Sequence, residues 1–376
     1  MADTSATTTT FAIIAGGGTA GHVLPGLAIG GALVERRHEP RSIHFVGSRG
    51  RIEERLVPEA GFAVTLLPGR GIERRLTLRN VSAAAGIVSA LARAVVLVRR
   101  LRPRVVVAVG GYASVPVALA ARFWRVPVVV AEQNAVPGAA NRLIARFARA
   151  AAVSFPDTPL PRAVLTGNPL RPEMLAIDRG RDGTGAKEAL GIEAGRRLVL
   201  VTGGSLGALR INTAVLDAID RWNDRRDLAV RHIIGARDWE VIRADERSSA
   251  TGAVQYLPVQ YDDDMAGTMA AADVAISRAG SSTCFELAAA GLPAVLVPSP
   301  FVTADHQTAN ARHLVSAGGA VLVRDDELDG ERLAVEIDAL LADPSRLERM
   351  AEAMHAFARP KAADEIAALA EEHATP

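Results

Sequence analysis

The sequence predicts an α/β protein of two Rossmann-like parallel-sheet domains facing across a cleft. Short apolar runs rich in Val and Ile recur along the chain, each closed by a Gly, Ser or Thr turn and followed by a longer helical pattern. That alternation is the signature of a parallel sheet. A glycine-rich turn follows the opening apolar run of each half, at 16–21 and 203–207. At 376 residues the chain exceeds what one core usually holds, so two domains of roughly 150 to 200 residues are expected.

The first domain is assigned to 1–165, with strands over 11–15, 42–46, 105–109, 126–130 and 150–154 and helices such as 25–36 between them. Pro156, Pro161 and Pro172 then interrupt the pattern, and 178–185 is polar and Gly-rich, the composition of a linker. The second domain, 166–346, draws its strands from 198–202, 230–234, 254–257, 274–277, 294–298 and 320–323. Helical sequence over 347–376 is expected to pack back on the first domain. Ligands of open parallel sheets bind outside the strand carboxyl ends, so a cleft between the domains is implied.

Composition narrows the function classes. Hydrophobic residues make up 49% and charged residues 23%, the balance of a globular protein. Forty-three Lys and Arg against forty-two Asp and Glu leave a net charge of +1, without the broad positive field of a nucleic-acid binder. The single cysteine, Cys284, excludes an intramolecular disulfide, fits a reducing compartment and reads as an inert core residue. Residues 1–10 are Thr- and Ala-rich, carry Asp3 and lack the basic end and apolar block of a secretory signal. The longest uncharged run, 105–121, contains Gly110, Gly111, Tyr112 and Pro116 and suits a strand, turn and helix better than a membrane span.

The chemistry concentrates at strand ends. Gly16, Gly18 and Gly21 match a dinucleotide fingerprint in spacing, but the second strand ends Phe45-Val46-Gly47-Ser48-Arg49 without the acidic residue that holds ribose hydroxyls. NAD is disfavoured, and an NADP-dependent oxidoreductase survives through Arg49. His22 is foreign to phosphate cradling; a helix N-terminus disfavours the imidazolium, which suits a general base, although a polar turn residue is the alternative. The turn Gly203-Gly204-Ser205-Leu206-Gly207 lacks the dinucleotide spacing and suits a phosphate or diphosphate. In the segment Ser281-Ser282-Thr283-Cys284-Phe285-Glu286, Thr283 and Glu286 have the spacing of a capping box, while the carboxylate also suits a ribose diol. Gln307, in Asp305-His306-Gln307, and the group Glu132-Gln133-Asn134 with Asn141 offer amides to sugar hydroxyls, and Arg171 offers a cation to a diphosphate. The run Asp262-Asp263-Asp264 has the look of a metal site, but its place before a helical stretch favours capping.

These motifs, in this order over nearly the whole chain, resemble the bacterial MurG family of UDP-N-acetylglucosamine transferases, which act on undecaprenyl-diphospho-muramoyl-pentapeptide in peptidoglycan synthesis. The likeness rests on the turn ending at His22, on Gly110-Gly111-Tyr112, Glu132-Gln133-Asn134, Thr166-Gly167-Asn168-Pro169-Leu170-Arg171, the 203–207 turn, the 281–286 segment and Asp305-His306-Gln307. The resemblance implies a GT-B type fold and inverting transfer of N-acetylglucosamine to the 4-hydroxyl of the muramoyl sugar of lipid I, forming lipid II. It implies His22 as the base. Donor contacts would come from Thr19, Ala20, Gly21, Asn134, Arg171, Ser205, Ser281, Ser282, Thr283, Glu286 and Gln307, and acceptor contacts from Gly18, Tyr112 and Asn141. No metal or other cofactor is implied, only the substrate UDP-GlcNAc. The implied partners are lipid I, an anionic membrane surface at the cytoplasmic face of the cell membrane and cell-wall synthesis proteins. Two departures stand out: Ala20 where the family usually has Gly, and Asp262 at a position commonly aliphatic.

The stretch 70–104 carries Arg74, Arg75, Arg79, Arg93, Arg99, Arg100, Arg102 and Arg104 with Glu73 as its only acid, among Leu76, Leu78, Ile87, Val88 and Leu91. Basic and apolar residues mixed in this way favour docking to an anionic leaflet, with a solvated helix face as the alternative. A non-catalytic sugar-nucleotide-binding protein on the same scaffold is the remaining alternative.

Overall fold

A computed structural model describes residues 9–68, 79–204, 207–242 and 253–376. The chain divides into two compact units, Met1–Arg171 with Arg359–Pro376, and Pro172–Ala358.

The first unit is built on strands β1 (Ala12–Gly16), β2 (Ile43–Ser48), β3 (Ala63–Leu67), β4 (Val105–Gly110), β5 (Val128–Glu132), β6 (Ala150–Val153) and β7 (Ala163–Leu165). They form one parallel sheet in the order β3-β2-β1-β4-β5-β6-β7. Ile13, Ile14, Val106, Val107 and Val129 are wholly buried, as expected of strands covered on both faces. The sequence reading lacked β3 and β7. Both are edge strands, and β3 is mostly half-exposed while β7 lies within the Pro-rich passage, so neither shows the continuous apolar run of a central strand.

The second unit repeats the plan with β8 (Arg197–Thr202), β9 (Leu228–Ile233), β10 (Gln255–Val259), β11 (Val274–Ser277), β12 (Ala294–Leu296) and β13 (Ala320–Leu322). Their order is β10-β9-β8-β11-β12-β13, again parallel. In each sheet the order reverses beside the opening strand, at β1/β4 and at β8/β11. Such switch points open crevices at the carboxyl ends of the strands.

Three sequence expectations require correction. The stretch expected as a linker is helical over Arg179–Ala189: Asp178 caps it by accepting from the Arg181 amide, and the Arg179 guanidinium donates to the carbonyls of Ala272 and Gly291. Gly183 faces the Ala270 carbonyl so closely that a Cβ there would sit 3.2 Å from it, so the glycine that resembled a flexible joint serves close packing. The closing helical sequence is also two helices. Pro344–Phe357 stays in the second unit, and only Ala362–His373 belongs to the first, where Ile366, Ala367 and Ala370 enter the core beside Ile14, Ile29 and Leu33. Finally, the first helix begins at Ala20 rather than Pro25. Proline lacks only its own N–H, and the turn before it forms regardless, which puts His22 inside the first helical turn.

Candidate active site

In the first unit the glycine-rich turn after β1 is shaped by close backbone approach. Gly16, Gly17 and Gly18 have φ of 154°, 147° and 95°, values that L side chains rarely adopt. A Cβ on Gly111 would collide with the Gly17 carbonyl, which ties the turn after β4 to the turn after β1. Thr19 is the N-cap of helix Ala20–Glu35; its carbonyl accepts the amides of His22 and Val23, and its hydroxyl lies 3.1 Å from His22 Nδ1.

The imidazole is half-buried, and its Nε2 edge lies over Gly110, where a Cβ would be 3.1 Å from Nε2 and 3.4 Å from Asn141 Nδ2. Behind it stands Glu132, 3% exposed, whose carboxylate accepts the Asn134 amide at 2.9 Å, the Gly138 amide at 3.0 Å and Asn141 Nδ2 at 2.9 Å. His22, Asn134 and Asn141 are therefore brought into one neighbourhood at the carboxyl ends of β1, β4 and β5. Tyr112 borders it: its hydroxyl donates to the Pro68 carbonyl at 3.5 Å, and burial raises its pKa above the ordinary phenol value. Thr19 and Gly21 are exposed, Gly18 and Ala20 half-buried, and Arg171 stands half-buried at the end of the unit's first segment.

Glu53 was not foreseen. It is 1% exposed, and both carboxylate oxygens lie 3.1 Å from the Gly18 amide nitrogen, with Oε1 also accepting from Ser48 N at 2.9 Å. The amide expected to greet a phosphate thus binds the chain's own carboxylate. This corrects the dinucleotide reading of the first turn, because a buried carboxylate repels a pyrophosphate at that place.

In the second unit, Ser205 lies outside the described residues. Around it the Gly204 amide donates to Thr202 Oγ1 at 3.2 Å, the Gly207 amide to the Gly204 carbonyl at 2.9 Å, and both glycines have φ of 87°. Behind the turn, Asn212 Nδ2 donates to the Ile234 carbonyl and Asp238, and Asn212 Oδ1 meets His232 Nε2 at 3.0 Å, with Tyr256 on the other ring nitrogen. Burial pushes the His232 pKa down to about 3, so this ring is a neutral structural link.

Helix Ser281–Ala290 is N-capped by Gly280 without a side-chain bond, so Thr283 and Glu286 do not form a capping box. Ser282, Thr283 and Glu286 are half-buried, Ser281 buried. Gln307 starts helix His306–Ser316, and its Oε1 accepts the Ser299 amide at 2.8 Å. Asn310, fully buried and also missed, donates to the Ala279 carbonyl and binds this helix to the turn before Ser281. Arg278 completes the assembly by donating to the carbonyls of Val297 and Pro298 and pairing with Asp325. A side chain that positions a turn from a separate element leaves no spacing signal in sequence.

The Asp run acts as a cap: Asp264 accepts the Gly267 amide at 2.9 Å at the start of helix Met265–Ala271. Asp262, where an aliphatic residue was expected, is 8% exposed and compensated by Arg231 at 3.0 Å and the Thr268 hydroxyl at 3.0 Å. Burial pushes the Cys284 thiol up to about 12, which makes it inert at neutral pH.

The chain is similar to known glycosyltransferases. The profile of the glycosyltransferase family 28 N-terminal domain matches residues 12–153, and that of the family 28 C-terminal domain matches 198–366. A UDP-N-acetylglucosamine–N-acetylmuramyl-(pentapeptide) pyrophosphoryl-undecaprenol N-acetylglucosamine transferase of Alkalilimnicola ehrlichii is 40% identical, covering 96% of this chain and 98% of its own. A protein of the same name from Desulforudis audaxviator is 37% identical, covering 94% and 96%. Among solved structures, MurG of Acinetobacter baumannii aligns with a TM-score of 0.75 and 27% identity over 96% of this chain and 99% of that one.

Proposed function

The chain belongs to glycosyltransferase family 28, and from that premise we propose that it transfers N-acetylglucosamine from UDP-N-acetylglucosamine to the 4-hydroxyl of the muramoyl sugar of undecaprenyl-linked lipid I. The observation that carries the chemistry is the half-buried His22 ring, fixed at Nδ1 and presenting Nε2 over Gly110 at the strand ends.

With Nδ1–H donating to Thr19 Oγ1, Nε2 is the ring nitrogen that carries the lone pair. The acceptor hydroxyl gives its proton to Nε2 while its oxygen forms a bond to the anomeric carbon. The bond from that carbon to the diphosphate breaks on the opposite face, which inverts the configuration and releases UDP. Donor binding falls to Thr19, Ala20, Gly21, Asn134 and Arg171 in the first unit and to Ser205, Ser281, Ser282, Thr283, Glu286 and Gln307 in the second. Gly18, Tyr112 and Asn141 border the acceptor. Negative charge on the departing phosphate meets the amides of the 203–207 turn and Arg171, and no metal enters the scheme. The non-catalytic alternative differs in one observable: it binds donor without releasing UDP.

The acceptor's lipid places the enzyme at the cytoplasmic face of the membrane as a peripheral protein. Among the described residues no helix is long and apolar enough to cross a bilayer. Residues 70–78 of the basic stretch lie outside the described residues. On the described part, Val88 and Val96 are 68% and 66% exposed, and Arg93, Arg99 and Arg100 are exposed near them in sequence. This supports docking to an anionic leaflet, each basic contact contributing about 1 kcal/mol. Arg104 is withdrawn from that patch by its bond to the Thr375 carbonyl. Other cell-wall synthesis proteins are the expected neighbours there. Incubation with UDP-N-acetylglucosamine and a lipid I analogue in the presence of chelator tests the reading: UDP release is expected, and donor binding without release contradicts it.

A further inference from the structure

We propose that Glu53 is a positioning residue for the transfer, its carboxylate filling the glycine-rich turn and holding His22 in place. The inference rests on the reading of His22 as the base.

Glu53 opens the short helix Glu53–Glu59 and turns its side chain back into the sheet. Burying an ionised carboxylate is costly unless hydrogen-bond donors surround it. Here the donors are main-chain amides, Gly18 N at 3.1 Å from each oxygen and Ser48 N at 2.9 Å from Oε1, and among the described residues no cationic side chain pairs with it. Two glycines make the space. A Cβ on Gly17 would collide with Glu53 Oε1, and one on Gly47 with Glu53 Cγ. Gly17 lies in the turn after β1 and Gly47 near the end of β2, so two separate strands are cut back to admit this one carboxyl group.

The carboxylate reaches His22 through the main chain. Gly18 N is one residue before Thr19, whose carbonyl accepts the His22 amide and whose hydroxyl meets Nδ1. Glu53 and His22 also line the same small cavity, together with Gly16, Gly47 and Val109. Fixing Gly18 therefore fixes the backbone that carries Thr19, whose carbonyl and hydroxyl hold the His22 amide and ring. A charge-assisted bond suits this role because it is shorter and stronger than a neutral one. Glutamine keeps the volume and loses the charge, and its NH2 end would face an amide donor.

The test compares the wild type with Glu53→Gln and Glu53→Asp, measuring kcat, the KM for UDP-N-acetylglucosamine and hydrogen exchange of the Gly18 amide. Glu53→Gln is expected to lower kcat about 10- to 100-fold, the scale of a small misplacement of a reacting group. The donor KM should stay within about threefold, because the ring held through Gly18 and Thr19 works in the transition state, and Gly18 exchange should accelerate. Glu53→Asp keeps the charge and should recover part of kcat. Should the glutamine variant not fold, Gly47→Ala displaces the same carboxyl group, and the same kcat loss with unchanged KM is expected. A folded variant of either kind with wild-type kcat, or a kcat loss matched by an equal rise in donor KM, overturns the proposal. A wild type that releases no UDP refutes the transfer reading itself; exchange at Gly18 still decides whether Glu53 holds the turn.

Discussion

The two glycine-rich turns occupy equivalent places on two sheets of like strand order, yet they are finished differently. After β1 the Gly18 amide is bound to the buried carboxylate of Glu53, and an imidazole stands at the helix start. After β8 the Gly204 amide meets a neutral threonine hydroxyl, and the buried ring of His232, bonded to Asn212, is a link within the core. A strand, a glycine turn and a helix N-terminus do not by themselves specify an anion site. In the proposed scheme, a buried carboxylate on the amide goes with a turn that presents a base, and a neutral hydroxyl with a turn that receives a phosphate.

The strongest way to break this comparison is to remove the imidazole. His22→Ala should lower kcat by about 100- to 10,000-fold, the usual scale of a general base, while the donor KM changes little. Steady-state UDP release at varied donor concentration measures both, and a proportionate rise in KM would assign His22 to donor binding instead.

The structural ring in the second unit gives the contrasting result. His232 has a folded pKa of about 3 against an ordinary 6.5, so below 6.5 the unfolded chain binds a proton that the folded chain refuses. Stability is complete above that range and falls as pH drops through it, with a limiting slope of about 1.4 kcal/mol per pH unit. Denaturant titrations between pH 7 and 4 should show this slope and should show it flattened in His232→Asn.

Glu286→Ala sharpens the donor side. With Gly280 as the N-cap, Glu286 has no part in capping, and its removal should weaken donor affinity about tenfold, or about 1.4 kcal/mol. Isothermal titration with UDP-N-acetylglucosamine reads this directly. Unchanged affinity would remove Glu286 from the donor site.

The smallest effect is a control on the meaning of glycine near the first turn. Gly31 lies within helix Ala20–Glu35 with nothing within 4 Å of a Cβ position, unlike Gly17 and Gly47. Gly31→Ala should stabilise by about 0.5–1 kcal/mol and leave turnover intact, as a higher unfolding midpoint would show.

The comparison also explains what was legible in the sequence. The central strands were, since Val105–Gly110 and Arg197–Thr202 are buried apolar runs with a turn at one end. The edges β3 and β7 were not, because an edge strand needs no continuous apolar face. The helix Arg179–Ala189 was hidden by glycines whose purpose is contact with a neighbour. At the site, His22, Asn134 and Asn141 announce themselves by standing at strand ends, and Asp264 by preceding a helix. Glu53, Asn310 and Arg278 act across elements distant in sequence, and only folding brings them to the turns they hold.

One crystal structure with UDP bound tests the difference between the turns most directly. The account predicts a diphosphate at the 203–207 turn, before helix Leu209–Arg221, with the Gly18 amide still on Glu53. A phosphate seated on Gly18, with the Glu53 carboxylate displaced, would contradict it.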